Sequence, residues 1–188
     1  MAEPSSSKPA ATGSPFWRFS LGFYRRSGVA DACITLQERS GVDVNLLLYL
    51  LWQASQGRAF AAEEVAALEE VIGPWRAATV IPLRMVRRAL KEPPGLVARP
   101  AAEVFRNKIK AVELEAERLQ QEAMYELAQA QSEGRSVVSS QVTAHQETAH
   151  QAAARHNVAA YETMLGAPLP APAVEALLEN FAAMNTGG

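Results

Sequence analysis

The sequence predicts an all-α protein: a compact multi-helix domain around a buried central helix (44–56), with one long amphipathic helix at about 100–132. Three observations predict it. Val44 to Trp52 (VNLLLYLLW) is apolar on nearly every helical face except at Asn45, as expected of a helix enclosed by its own chain. From Phe105 to Ala130 apolar residues recur every three or four positions. No stretch shows the two-residue alternation of a half-buried strand, and no Asn-Gly hairpin is present.

The elements follow in order. Residues 1–14 (MAEPSSSKPAATGS) have the composition of a disordered tail. Pro15 suits the first position of a helix in which Phe16, Phe19 and Phe23 form one stripe and Trp17, Leu21 and Tyr24 another, so that both sides are expected to be covered. Ser27 is expected to cap a second helix that buries Val29, Ala32, Cys33 and Leu36 and ends at Gly41, with Asp31, Glu38 and Arg39 outside. Asp43 then caps the central helix, accepting from free amides of its first turn, and Gly57 closes it. Glu63 and Glu64 suit the positive end of a fourth helix lined by Val65, Leu68 and Ile72, which Gly73 and Pro74 should break. Pro82 opens a further helix that runs to the PPG stretch at 93–95.

The long helix comes next, with a seam of Phe105, Ile109, Val112, Ala116, Leu119, Ala123, Leu127 and Ala130, and Glu133 with Gly134 at its end. Periodicity fades from Arg135 to His156, where helix and loop both remain open. Val158, Tyr161 and Leu165 then lead through GAPLPAP to a last helix with Val174, Leu177, Leu178 and Phe181. A single helical domain at 15–183 is expected, with a polar segment at 134–156 whose composition would allow it to move.

Charge narrows the function classes. A formal charge of −2 and a pI near 6.0 offer no global attraction to nucleic acid or acidic lipid. Asp occurs only at 31 and 43, which removes most ways of building an Asp-rich magnesium site. Cys33, the single cysteine, rules out an intrachain disulfide and is expected to act as a small buried hydrophobe. No secretory signal and no apolar run near the roughly 20 residues of a membrane span is present, so a soluble cytoplasmic protein is expected.

Four groups of residues are candidates for chemistry. His145, His150 and His156 fall in one polar segment, but on a helix His145 and His156 stand about 16 Å apart along the axis. Only Glu147 with His150 could ligate one ion, helped by Glu113 or Glu117, and surface histidines are the favoured alternative; no metal or cofactor is assigned. Arg84, Arg87, Arg88 and Lys91 lie within an arc of roughly 100°, opposite Leu83, Val86, Ala89 and Leu90. That stripe would suit an anion or phosphates, or else pair with glutamates of the long helix. No aromatic residue interleaves with it, so nucleic acid is not the favoured partner. Trp17, Trp52 and Trp75 are expected in the core, each indole N–H needing an acceptor. Asn45 beside Asp43, near Trp75, either orients a small ligand or satisfies a neighbouring helix end.

FWRFSLGFYRRSGVADACITLQERSGVDVNLLLYLLW, IGPWRAATVIPLRMVRRALK and KIKAVELEAERLQQEAM together resemble a family of conserved-hypothetical proteobacterial proteins known only as a domain of unknown function. The likeness runs from about Phe16 to Leu127, with a fainter echo in NVAAYETMLG. It implies no reaction, ligand or catalytic residue. The favoured reading is therefore a non-enzymatic helical module that binds another macromolecule, with a protein partner or self-association through the Phe105–Ala130 helix. The alternatives are a small-molecule or metal-dependent enzyme with a pocket near Asp43 and Asn45, and an anion or nucleic-acid binder using the arginine stripe.

Overall fold

In a computed structural model, residues 13–132 and 144–185 are described, with side chains for 13–130 and 149–184. All regular structure among them is helical. Helices α1 (Pro15–Tyr24), α2 (Val29–Ser40) and α3 (Val44–Ser55) lead to α4 (Ala62–Trp75). A π-helical stretch, Arg76–Val80, joins α4 to α5 (Ile81–Ala89), and α6 (Arg99–Ser132), α7 (Ala144–Leu165) and α8 (Ala171–Asn185) follow among the described residues.

The expected central helix is the hub. Every side chain from Asn45 to Ala54 is buried, and α3 is covered chiefly by α7, with α1, α6 and α2 closing the remaining sides. Asp43 caps it as the sequence predicts, Oδ1 accepting from the N–H of Asn45 at 2.8 Å and of Leu46 at 3.4 Å. Around it Phe16, Tyr49, Trp52 and Tyr125 form a chain of ring contacts with centroids 5.4 to 5.8 Å apart.

Several expectations need correction. Ser14, assigned to the tail, is buried, and its hydroxyl accepts the Trp17 N–H; residues 1–12 lie outside the described residues. Only the Phe16–Phe23 side of α1 is sealed, and Tyr24 on the second stripe is exposed. Ser27 does not cap α2: Gly28 does, in the left-handed region at φ 79°, a conformation that costs glycine least. Gly73 and Pro74 do not break α4. Neither Pro74 nor Pro82 can donate an N–H to the preceding turn, and between them the helix widens so that the Ile81 N–H reaches the Arg76 carbonyl five residues back. One continuous rod thus runs from Ala62 to Ala89, ending before the PPG stretch.

Residues 144–156 are helical, forming the first half of α7. Their sequence hides this because the face meeting α3 is built from Ala153, Ala154 and Asn157, small or polar residues that carry little hydrophobic periodicity. Asn157 is fully buried. Its Oδ1 accepts the Phe60 N–H at 2.7 Å while its Nδ2 donates to the carbonyls of Leu50 and Arg58 at 2.9 and 3.0 Å. The expected helix end at Glu133 and Gly134 lies outside the described residues, as do the side chains of His145 and Glu147.

The long helix faces differently from its expected seam. The side of α6 turned inward carries Ala102, Glu113, Ala116, Gln120, Met124 and Ala128, so Phe105, Val112 and Leu119 stand 50%, 52% and 43% exposed. Ion pairs and amides bind this helix to its neighbours, and an apolar pattern cannot report them.

Candidate functional site

Two polar constellations converge on α6. The first surrounds Asp43 and Asn45, both buried. Asp43 Oδ2 accepts from Arg76 Nη1 at 2.7 Å and from Gln120 Nε2 at 2.9 Å. Asn45 donates Nδ2 to Gln120 Oε1 at 3.0 Å, and its Oδ1 accepts from Gln121 Nε2 at 2.7 Å. Arg76 donates its other nitrogen to Glu69, whose second oxygen lies 2.9 Å from Nη1; these hydrogen bonds, ahead of burial acting the other way, push the guanidinium pKa up. The Asp43 N–H donates to Tyr161 Oη at 2.9 Å, and burial raises the pKa of that phenol. Asp43 Oδ2 and the Asn45 amide thus tie the start of α3 to the π stretch and α6, while Asp43 Oδ1 caps α3 itself. Of the amides in the network, Gln121 alone keeps a buried oxygen without a partner.

Trp75 is not in the core. It is 41% exposed and lies along α6, its indole N–H donating to the Ala116 carbonyl at 3.1 Å. Its indole N–H is thus spent on the α6 backbone rather than on Asp43 or Asn45, with which the sequence grouped it. The sequence reading also missed Arg76, Gln120, Gln121 and Tyr161. Their one local signal is the Gln120–Gln121 pair, two amides interrupting an apolar helical pattern.

The second constellation holds the arginine stripe. Arg84 donates to Glu113 at 3.0 Å and to Glu117 at 2.7 Å, Arg87 forms two hydrogen bonds to Glu113, and Arg88 pairs with Glu38. Pairing with glutamates of the long helix, one of the two roles the sequence allowed, is thus the geometry adopted by Arg84 and Arg87. Glu113 is buried, which would raise its pKa, but two guanidinium partners overcome that and hold it below the ordinary carboxylate range. Glu117, where burial prevails over Arg84, is raised instead. Lys91 stands exposed.

With Arg84 and Arg87 turned toward α6 and Arg88 toward α2, much of α5 is left in water: on the side opposite the arginines Val86 and Ala89 are exposed and Leu83 and Leu90 half-buried. Ile81, Met85 and Val86 are exposed, and α5 has no buried residue. Between α5 and α2 a shallow cavity of about 450 Å³ is lined by Gln37, Glu38, Ile81, Arg84, Met85 and Arg88. With the start of α6, α5 makes a two-helix arm over residues 81–112 that carries eight Lys and Arg against two Glu, a net +6, leaving −8 for the rest of the chain. The arm is both the most basic part of the molecule and one where Met85, Leu96, Val104 and Phe105 lie half or more uncovered.

Among the described residues no group of three His, Cys, Asp or Glu is placed to hold a metal ion, and no helix is long and apolar enough to cross a membrane. Glu113 and Glu117, the carboxylates a histidine site would have borrowed, are engaged by Arg84 and Arg87, while His150 sits beside Gly57. The family model described as "Protein of unknown function (DUF2390)" matches residues 15–124, and the chain belongs to that family. No curated protein and no solved structure matches the chain.

Proposed function

As a member of that family the protein inherits no activity, and we propose that it is a helical interaction module that docks a partner protein on its α5–α6 arm. The observation that carries this reading is α5 itself. As the last nine residues of the Ala62–Ala89 rod, it is held by arginine–glutamate pairs, buries no residue and turns Ile81, Met85 and Val86 to water, without the apolar burial that normally supports a surface helix. A partner laid along it would supply that burial, and the +6 arm favours a partner of acidic character.

A protein partner fits better than a nucleic acid because Arg84, Arg87 and Arg88 already hold Glu113, Glu117 and Glu38. Phosphates would have to displace those carboxylates before gaining the guanidinium groups. A small-molecule site at Asp43 and Asn45 is not favoured, since both side chains are fully occupied within the fold.

The test compares capture by the wild-type chain with capture by Met85→Glu and by Ile81→Glu, two substitutions at exposed positions that leave the core intact. A protein retained by the wild type, lost from both variants and released by added salt is the expected result. Identical captures would overturn the reading. Binding of a duplex oligonucleotide whose affinity falls steeply with salt would assign the arm to nucleic acid instead.

A further inference from the structure

The outer side of α6, which shares Phe105 to Val112 with the arm, carries an inference that is tested apart from the partner laid along α5. Phe105, Val112 and Leu119 stand seven residues apart on the outer side of α6, each about half exposed. Lys108 and Glu115 fall between them at three- and four-residue spacing, completing a seam of Phe, Lys, Val, Glu and Leu. At 1.5 Å per residue the open face from Ala101 to Ala123 is roughly 33 Å long. Trp75 of α4, 41% exposed, reaches α6 through its indole N–H at the Ala116 carbonyl, within the length of this strip.

The charges on this strip change sign along the helix: Lys108 lies one turn before Val112 and Glu115 one turn after it, on the same flank. We infer that α6 is a dimerisation face whose occupant is α6 of a second copy of this chain, running antiparallel and centred on Val112. In that arrangement Lys108 of each copy lies beside Glu115 of the other, and Phe105 of each meets the region of Leu119. A two-fold axis makes both contacts twice. A parallel in-register pair would set lysine beside lysine and glutamate beside glutamate, which selects the antiparallel direction. It also opposes the two helix dipoles.

Glu115 has a hydrogen-bonded partner within its own helix, Arg118, at 2.7 and 2.8 Å. That pair is exposed at the surface, contributes little by itself and leaves the carboxylate free to accept a second cation. Its presence predicts that the intermolecular Lys108–Glu115 contact becomes a three-charge network rather than an isolated bridge.

Sedimentation velocity on the full chain over a wide concentration range tests the inference, with circular dichroism as the control for folding. The wild type should shift from monomer toward dimer as concentration rises. Val112→Glu should raise the dimer dissociation constant tenfold or more while leaving the helical signal unchanged. Lys108→Glu and Glu115→Lys should each weaken the dimer, and the double exchange in one chain should restore it, an outcome that only antiparallel pairing gives. A chain monomeric at every concentration overturns the inference. So does a dimer indifferent to Val112→Glu, or a double exchange no better than the single ones. None of these outcomes bears on capture through Met85, so failure here and failure of the arm reading are separately visible.

Discussion

The backbone N–H of Asp43 donates to the phenolic oxygen of Tyr161 at 2.9 Å, joining the capping residue of the central helix to a helix 118 residues later in the chain. Both partners are buried, so the bond has no water to replace it. Tyr161→Phe should therefore leave an orphaned amide and cost about 1–3 kcal/mol. Urea denaturation should show a lower midpoint with unchanged slope.

Asn157 makes a larger commitment, bonding a carbonyl inside α3 and one carbonyl and one amide of the segment that follows it. Asn157→Asp keeps the shape and the acceptor but removes both donors, leaving a buried carboxylate against the carbonyls of Leu50 and Arg58. The expected loss is about 3 kcal/mol or more at neutral pH. Burial raises the folded pKa of such a carboxyl, so the loss should shrink as pH falls through that value. A pH series of denaturation midpoints reads this directly.

Glu113 is the anchor of the arm, accepting from both Arg84 and Arg87. Glu113→Gln should loosen α5 without unfolding the core, because α5 contributes no buried residue. Amide exchange over residues 81–89 should accelerate at least tenfold, or about 1.4 kcal/mol of local opening, while amides of α3 keep their protection. The wild-type carboxyl is held below its ordinary range, so its stabilisation is present above about pH 4.3 and is lost as pH falls below it. Acid should thus release the arm before the rest of the fold.

At the alkaline end the sign reverses. Burial pushes the Cys33 thiol up to about 12 and raises the phenols of Tyr161 and Tyr49, so the folded state holds protons that the unfolded chain releases near pH 8.5 and 10. Stability from these groups is complete below those values and declines as pH rises through the folded ones. Denaturation midpoints should be flat from about pH 7 to 8 and fall above about pH 9. Cys33→Ala should flatten the first part of that decline while lowering overall stability by leaving a small cavity.

Local chemistry was enough to read the all-helical class, the buried rod at Val44–Trp52, the Asp43 cap, the left-handed glycines after α2 and α3, and the inward line of Val65, Leu68 and Ile72. Each depends on residues within a few turns of one another, where periodicity and capping act. The partners of Asp43 and Asn45, the turning of the arginine stripe onto Glu113, the burial of Asn157 and the exposure of Phe105, Val112 and Leu119 all depend on contacts across 26 to 118 positions of chain. Ion pairs and amide bonds decided those placements, and such groups leave no hydrophobic period in the sequence to announce which face they will bury.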